Sequence, residues 1–572
     1  MMPLSSCKCL AMLSLSVKRC ILHLKVLYVS LFFLNFTAYK CAIKEFWAMR
    51  YPIGIQSFEQ IIKEGYVYVD KTDLIYQLTQ GKIYFLSRPR RFGKSLLVST
   101  LENYYLGRKE LFRGLKIDAL EKEWKTYPVF HLDFNGQNFN DRDALVRTLE
   151  NFLASYESLY GGDATQTIGT RFANLLKAAH QQTGLRCVVL VDEYDKPLLD
   201  VTGLPETIRQ NNVDITLEEN HRNILKGFYS TFKLADNDLQ FVLLTGVTKF
   251  SQISVFSGFN QPDDISMDNR YDTLCGITDE EMEHYFHEPM QELADANGYT
   301  YDEMVKVLRQ RFDGYHFSTR MKGVYNPFSI LNTFSKMEIR DYWFRTGTPT
   351  YLVRLLQDNH EGLNDLTGKY YDESEFIDYR ADREMPLPMI YQSGYLTIKD
   401  YDREMESYLL DFPNDEVKKG FFTMTANSYL ATREDAGSWV RSAVIALKRG
   451  ELERFKTLLT SFLASIPYTA RRKENETERY FSYTLYLIFR IASCYITYIE
   501  KEQSYGRLDC CLETPKYVYI FEFKLDGSAE AALRQIDDRG YATEFQSSGK
   551  TIYKIGVNIS SETGTIADWK VG

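Results

Sequence analysis

The sequence lacks any cysteine pattern that would organise a metal site or a disulfide framework. Nine cysteines are spread over 572 residues, and beyond the N-terminal stretch none forms a Cys-x-x-Cys pair. This argues against a zinc site and points to a reducing cytoplasm. Cys187 opens an apolar run and is expected in a core. Long apolar runs are missing too. The patch from Val26 to Ala38 falls short of the roughly 20 residues a membrane helix needs, so no membrane partner is expected. Nor is positive charge in excess: 68 Lys and Arg stand against 77 Asp and Glu, for a net charge of −9 and a pI near 5.6. Any DNA contact must therefore come from a local basic patch. What is present, 44% hydrophobic and 25% charged residues, describes a globular chain. Its length calls for two to four domains.

Ile83-Tyr84-Phe85-Leu86 reads as a buried strand and Ser87 to Phe92 as a loop. From Gly93 onward, Leu96, Leu97, Thr100, Leu101 and Tyr104 recur at helical spacing. A strand, a loop and then Gly93-Lys94-Ser95 opening a helix is the layout of a phosphate-binding loop. It would comprise Arg88, Pro89, Arg90, Arg91, Phe92, Gly93, Lys94, Ser95 and Leu96. Backbone amides and the positive helix end would hold the phosphates of ATP, Lys94 would reach the terminal ones, and the Ser95 hydroxyl would ligate Mg²⁺. One part of the pattern is absent: Arg88 stands where the usual loop has its first Gly. On this stretch alone, an ordinary strand–helix turn is the rival.

Cys187-Val188-Val189-Leu190-Val191-Asp192-Glu193 carries the second signal. A continuous β-branched run is what a strand buried on both faces of a parallel sheet looks like. Its two acids fall at the carboxyl end, where α/β sheets bind ligands. Asp192 would hold the magnesium shell and Glu193 would polarise the attacking water. Solvated acids capping a strand are the bland alternative. A further strand, Gln240 to Gly246, ends with Thr245, placed to sense a γ-phosphate from the neighbouring strand. A strand at Tyr127 to Phe134 and helices near 142–158, 168–182 and 218–235 complete an alternating α/β pattern, with His131 structural.

Residues 1–48 differ in composition, with four of the cysteines. Lys18, Arg19 and Lys25 ahead of the apolar patch would fit a signal peptide. A protein that needs ATP would find none outside the cytoplasm, so the native start is expected at Met49. The first 48 residues are then a non-native extension or a signal-like segment.

After about 350 the pattern turns helical. Met389 to Ile398 ends a helix at Gly394 and enters a strand, and Tyr408 to Phe412 returns. Helix, hairpin, helix implies a winged-helix module, and 417–465 reads as amphipathic helices facing a core. Gly506 to Leu512 and Tyr517 to Lys524 then read as a hairpin. Alternation puts Tyr517, Tyr519, Phe521 and Phe523 on one face, with Glu522 and Lys524 on the other beside Asp509. Two carboxylates and an ammonium suit phosphodiester hydrolysis. Asp509 and Glu522 would bind Mg²⁺ with the Phe523 carbonyl, and Lys524 would orient water and balance charge.

Residues 51–347 resemble the bacterial AAA-ATPase-like proteins that are fused to a nuclease-type domain. The resemblance rests on Tyr51-Pro52-Ile53-Gly54, Tyr68-Val69-Asp70-Lys71-Thr72, Arg88 to Ser95 and Val191-Asp192-Glu193-Tyr194-Asp195. It continues in Phe256-Ser257-Gly258, Asp313-Gly314-Tyr315, Tyr325 to Ser329 and Trp343-Phe344-Arg345-Thr346-Gly347. Arg88 in place of Gly is a trait of that family. Residues from about 474 resemble the PD-(D/E)XK nuclease superfamily, through Gly506-Arg507-Leu508-Asp509 and Ile520-Phe521-Glu522-Phe523-Lys524. That resemblance implies Glu478 as the acid of the first helix and Gln535 as a polar residue on the helix after the hairpin. Ser482 departs from it, standing where relatives often carry His.

Together these readings predict a P-loop α/β domain at 49–347, a mostly helical region with a winged-helix-like module at 348–470, and a restriction-endonuclease-like α/β domain at 471–572. They imply ATP and Mg²⁺ as cofactors and DNA, in preference to RNA, as substrate. The resemblance also implies a homo-oligomer with an arginine supplied by the neighbour. Residues 471–572 carry a net charge of about −1, poor for a broad DNA footprint, so delivery by another domain or subunit is expected. The rival function is a nucleotide switch for signalling or scaffolding, whose nuclease fold binds without cutting.

Overall fold

The computed structural model describes residues 49–204, 206–210, 213–250, 262–344, 366–377, 386–430, 436–465, 477–493, 497–500 and 508–572. Residues 1–48, Phe256-Ser257-Gly258, Arg345-Thr346-Gly347 and Gly506-Arg507 lie outside them, as do the side chains of Glu478 and Asp509.

Five strands build the N-terminal sheet: β1 (Ile83–Ser87), β2 (Val129–Asp133), β3 (Cys187–Asp192), β6 (Leu239–Gly246) and β7 (Asp263–Asp264). A hairpin, β4 (Thr207–Gln210) and β5 (Val213–Thr216), lies apart from them. The sheet order is β2-β3-β6-β1-β7 and all neighbours are parallel. Parallel neighbours require crossovers, supplied by helices Lys94–Tyr105, Ala144–Tyr160, Ile168–Thr183 and Leu217–Tyr229. Helices on both faces explain why every residue of β3 is buried, as its unbroken apolar run requires. The helix expected at 218–235 is divided at Ser230 into Leu217–Tyr229 and Thr231–Leu234. Because the strands run one way, Ser87, Asp133, Asp192 and Thr245 all arrive at the same edge. A helical unit of Asp279–Asn297, Tyr301–Phe312 and Pro327–Lys336 follows, with its own core around Phe286, Leu308 and Phe334.

In the middle region, helix Leu387–Gln392 stops at Gly394, whose φ of +86° suits glycine, and the chain enters a hairpin. The hairpin strands are β9 (Thr397–Asp402) and β10 (Ser407–Asp411). A strand not foreseen from sequence, β8 (Lys369–Asp372), pairs with the other side of β10. Helices Asp415–Leu430, Ala436–Arg449 and Leu452–Ser465 come next.

The C-terminal sheet has the order β11-β12-β13-β14-β15, from Thr497–Glu500, Leu508–Glu513, Tyr517–Leu525, Thr551–Ile559 and Ile566–Val571. Only β13 and β14 are parallel, joined through helix Ala529–Asp538. Tyr517, Tyr519, Phe521 and Phe523 do line one face of β13, with successive ring centroids 6.0, 6.4 and 5.9 Å apart. Phe455 and Phe489 pack on that face, and the Tyr519 hydroxyl donates to the Leu447 carbonyl. The helices at 436–465 therefore share a core with the C-terminal sheet. Among the described residues, no helix is long and apolar enough to cross a membrane.

Candidate active sites

At the carboxyl edge of the first sheet, Arg91 (φ +68°) and Gly93 (φ +93°) both take left-handed backbone, so the chain from β1 doubles back sharply into helix Lys94–Tyr105. No side chain caps that helix, and its first turn holds no acid, so its positive end is uncompensated. Lys94 is buried, and its ammonium donates to the carbonyls of Arg88 (3.0 Å) and Pro89 (3.2 Å).

Not every loop residue expected to meet the nucleotide has its side chain free to do so. The Arg88 guanidinium is buried, donates to the carbonyls of Ser266 (2.7 Å) and Tyr271 (3.2 Å), and lies 4.2 Å over the Phe317 ring. Arg88 thus fastens β1 to the segment after β7, and its burial lowers the guanidinium pKa. Pro89 is buried, has no N–H to offer, and packs against Gly394, where a Cβ would lie 2.6 Å from it. Phe92 wedges between Tyr315 and Phe317, and Leu96 packs toward the Phe58–Phe112 cluster. These four side chains anchor the loop. Arg90 and Arg91 are exposed, and half-buried Ser95 is the second residue of the helix.

β6 lies between β1 and β3, so Thr245 separates the loop from the acids. Its buried hydroxyl donates to Asp192 Oδ1 at 2.5 Å, and the Glu193 amide donates to the same oxygen at 3.1 Å. Thr245 therefore orients a carboxylate. Among the described residues, Oδ2 of Asp192 has no hydrogen-bond partner, which fits a cation-binding role. Thr245→Val keeps the strand and deletes the donor. ATP turnover should fall about tenfold with nucleotide affinity within about threefold, read by phosphate release and equilibrium titration.

Asp195 ends the Val191–Asp195 run. Glu193 is left-handed at φ +52°, a turn that brings Asp195 back to the end of β6. There Oδ2 accepts from the Val247 (2.9 Å) and Thr248 (2.6 Å) amides, while buried Oδ1 has no hydrogen-bond partner among the described residues. Burial pushes this carboxyl up to about 6. The Thr248 amide opposes the rise, Glu193 adds to it and Lys94 counters it. Asp133 lies opposite Asp192 in the strand register, its carboxyl raised by burial and by the Asp192 charge. His131 sits 3.3 Å from Glu102, a pairing with the loop's helix that fits its structural reading.

The second constellation lies on β13. Glu522 is wholly buried, and Lys524 donates to its Oε1 and to Gln535 Oε1, each at 2.7 Å. Gly556 makes this convergence feasible. It is Glu522's register partner on β14, and a Cβ there would lie 2.1 Å from the Ala529 carbonyl, so only glycine lets helix Ala529–Asp538 come this close. On the other side, Asp509 is the direct register partner of Glu522. Among the described residues, Oε2 of Glu522 is buried without a hydrogen bond, an orphaned anionic oxygen that suits a divalent cation. Among the described residues, no three Asp, Glu, His or Cys side chains converge as a metal cluster, here or elsewhere. Glu478 lies in the first turn of helix Thr477–Ala492.

Comparison with known proteins matches this arrangement at both ends. A family described as a predicted AAA-ATPase matches residues 52–256, and the PD-(D/E)XK nuclease superfamily matches 476–569. A protein of Azotobacter chroococcum mcd 1, named only as an uncharacterized protein in the vnfD 5′ region, is 35% identical over 530 residues. The match covers 91% of this chain and 98% of that protein. The chain belongs to the AAA-ATPase-like family with a fused PD-(D/E)XK domain. In this AAA-ATPase-like protein the segment between the two matched spans belongs to the shared architecture, since a 530-residue match cannot avoid it.

Proposed function

We propose that this AAA-ATPase-like protein hydrolyses ATP and that its nucleotide state controls metal-dependent cleavage of DNA by the C-terminal domain. The observation that carries the reading is the buried Glu522 carboxylate. It has one oxygen on Lys524 and the other orphaned, on the strand opposite Asp509. A protein built only for binding has little reason to retain an unpaired anionic oxygen in a core, where it costs free energy.

At the nucleotide edge, Lys94 would release the loop carbonyls to hold the terminal phosphates, and the amides from Arg91 to Leu96 would take the remaining oxygens. Glu193 would orient water, held in place by the turn that Asp195 closes. At the other site Lys524, steered by Glu522 and Gln535, would orient the attacking water and offset developing charge. Ser95 and Asp192 would hold magnesium at one site and Asp509 and Glu522 at the other, where it would supply Lewis-acid neutralisation of phosphate charge. The helix–hairpin–helix at 387–430 serves as a winged-helix-like structural support, consistent with acids at Asp400, Asp402, Glu404 and Glu406 in and around its hairpin.

The test is supercoiled plasmid incubated with the full chain and Mg²⁺ or Mn²⁺, with and without ATP. Nicked or linear product that depends on metal and changes with ATP is expected. Intact plasmid under all conditions, alongside measurable ATP turnover, would favour the nucleotide-switch scaffold instead.

A further inference from the structure

We propose that Trp343 is the positioning residue that sets the phosphate loop for nucleotide, and that through Glu416 it transmits the loop's state to the C-terminal domain. The second half rests on the nucleotide-controlled reading above.

The loop backbone is held from a distant part of the chain. The Trp343 indole N–H donates to the Arg90 carbonyl at 3.0 Å, across 253 residues of chain. A trans peptide is planar with its C=O and N–H antiparallel, so pinning the Arg90 carbonyl fixes the direction of the Arg91 N–H. Arg91 is one of the two left-handed residues of the loop. Successive amides flanking such residues form anion-binding concavities, whose affinity depends on the orientation of each peptide plane. Trp343 thus fixes a plane that the nucleotide would read.

Trp343 is itself held. Its backbone N–H donates to Glu416 Oε1 at 2.8 Å, and the Ser329 hydroxyl donates to Glu416 Oε2 at 2.7 Å. Glu416 is buried at 1% exposure, in the first turn of helix Asp415–Leu430. Burial raises its carboxyl to about 7 despite both hydrogen bonds, so the contact is maintained at a cost. The neighbouring Phe344 ring fills the space where a Cβ on Gly420 would stand, 2.2 Å away, which locks the same helix to the Trp343 segment.

That helix then reaches the second site. Phe422 lies under the Arg490 guanidinium at 5.5 Å, and Arg490 follows Phe489 on helix Thr477–Ala492. The Phe489 ring is 5.8 Å from both Phe521 and Phe523, the residues on either side of Glu522. A contiguous series of packed groups therefore runs from the Arg90 peptide to the strand that carries Glu522. The indole hydrogen bond, made or broken, is its switchable link.

The experiment compares the full chain with Trp343→Phe, which keeps a ring against Tyr395 and removes the indole donor. Binding of a fluorescent ATP analogue should weaken about tenfold, the size of one lost hydrogen bond to a preorganised site. Hydrogen exchange in 415–430 and 477–492 should respond to nucleotide in the wild type and not in the variant, even at saturation. Glu416→Gln, which can still accept from Trp343 and donate to Ser329, should retain the exchange response, and Glu416→Ala should lose it. This pair decides the matter if Trp343→Phe does not fold. Unchanged affinity in Trp343→Phe, or a response that persists at saturation, overturns the proposal. A wild type that binds nucleotide and shows the exchange response but leaves DNA intact overturns the nuclease reading and supports the relay. DNA cleavage with no exchange response does the reverse.

Discussion

Glu522→Ala is expected to lower metal-dependent plasmid cleavage by about three orders of magnitude while ATP turnover stays within about twofold. The size follows from two losses at once. The substitution removes the orphaned carboxylate oxygen that a cation would claim, and it removes the partner that steers Lys524. Lys524 keeps Gln535, but an ammonium with one tether fewer samples more directions. Folding should survive, because Lys524 is about a quarter exposed and can turn to water, so no uncompensated buried charge is left behind. Glu522→Gln is the sharper variant, since its carbonyl still accepts from Lys524 and only the anion is lost. It should fall nearly as far as alanine, with a weakened Mn²⁺ affinity measurable by titration. Full activity in Glu522→Gln would mean that the carboxylate only shapes the strand and that cleavage arises elsewhere.

The parts of this protein that were legible in its sequence are those whose signal is local. The unbroken run Cys187–Asp192 announces a strand buried on both faces, and alternation along Tyr517–Lys524 separates the aromatic face from Glu522 and Lys524. The helix after Gly93 follows from spacing alone. What stayed hidden depends on partners far along the chain. Arg88 reads as part of a phosphate loop, but its guanidinium belongs to carbonyls near residues 266 and 271 and to the Phe317 ring. Thr245 reads as placed to sense a γ-phosphate, and only the strand order shows that its hydroxyl meets Asp192. Asp195 needed the left-handed turn at Glu193 before its amide partners became visible. Amphipathic helices are legible over 417–465, whereas the partner of the 436–465 part, the aromatic face of β13, is not. Periodicity shows that a face is buried without showing what buries it.

Lys94→Ala should weaken ATP binding at least about a hundredfold and reduce turnover to background. A unit charge about 4 Å from a phosphate oxygen, at an effective dielectric near 20, is worth roughly 4 kcal/mol, enough for that loss after desolvation is discounted. The substitution also strips the Arg88 and Pro89 carbonyls of their donor, and each unsatisfied carbonyl costs about 1–3 kcal/mol. A fall in melting temperature is therefore expected as well, and it must be separated from the binding effect. Lys94→Arg makes that separation. It keeps a donor for the carbonyls, and so most of the stability, but its planar fork does not reproduce a compact ammonium at the terminal phosphate. A stable Lys94→Arg protein that binds ATP poorly assigns the loss to phosphate recognition. Plasmid cleavage by either variant should then lose its dependence on ATP and keep its dependence on metal, because Asp509, Glu522 and Lys524 are untouched. If instead cleavage in both variants still tracked ATP, the loop around Lys94 would not be where the nucleotide acts. The two ends of the chain would then have to be read as independent modules.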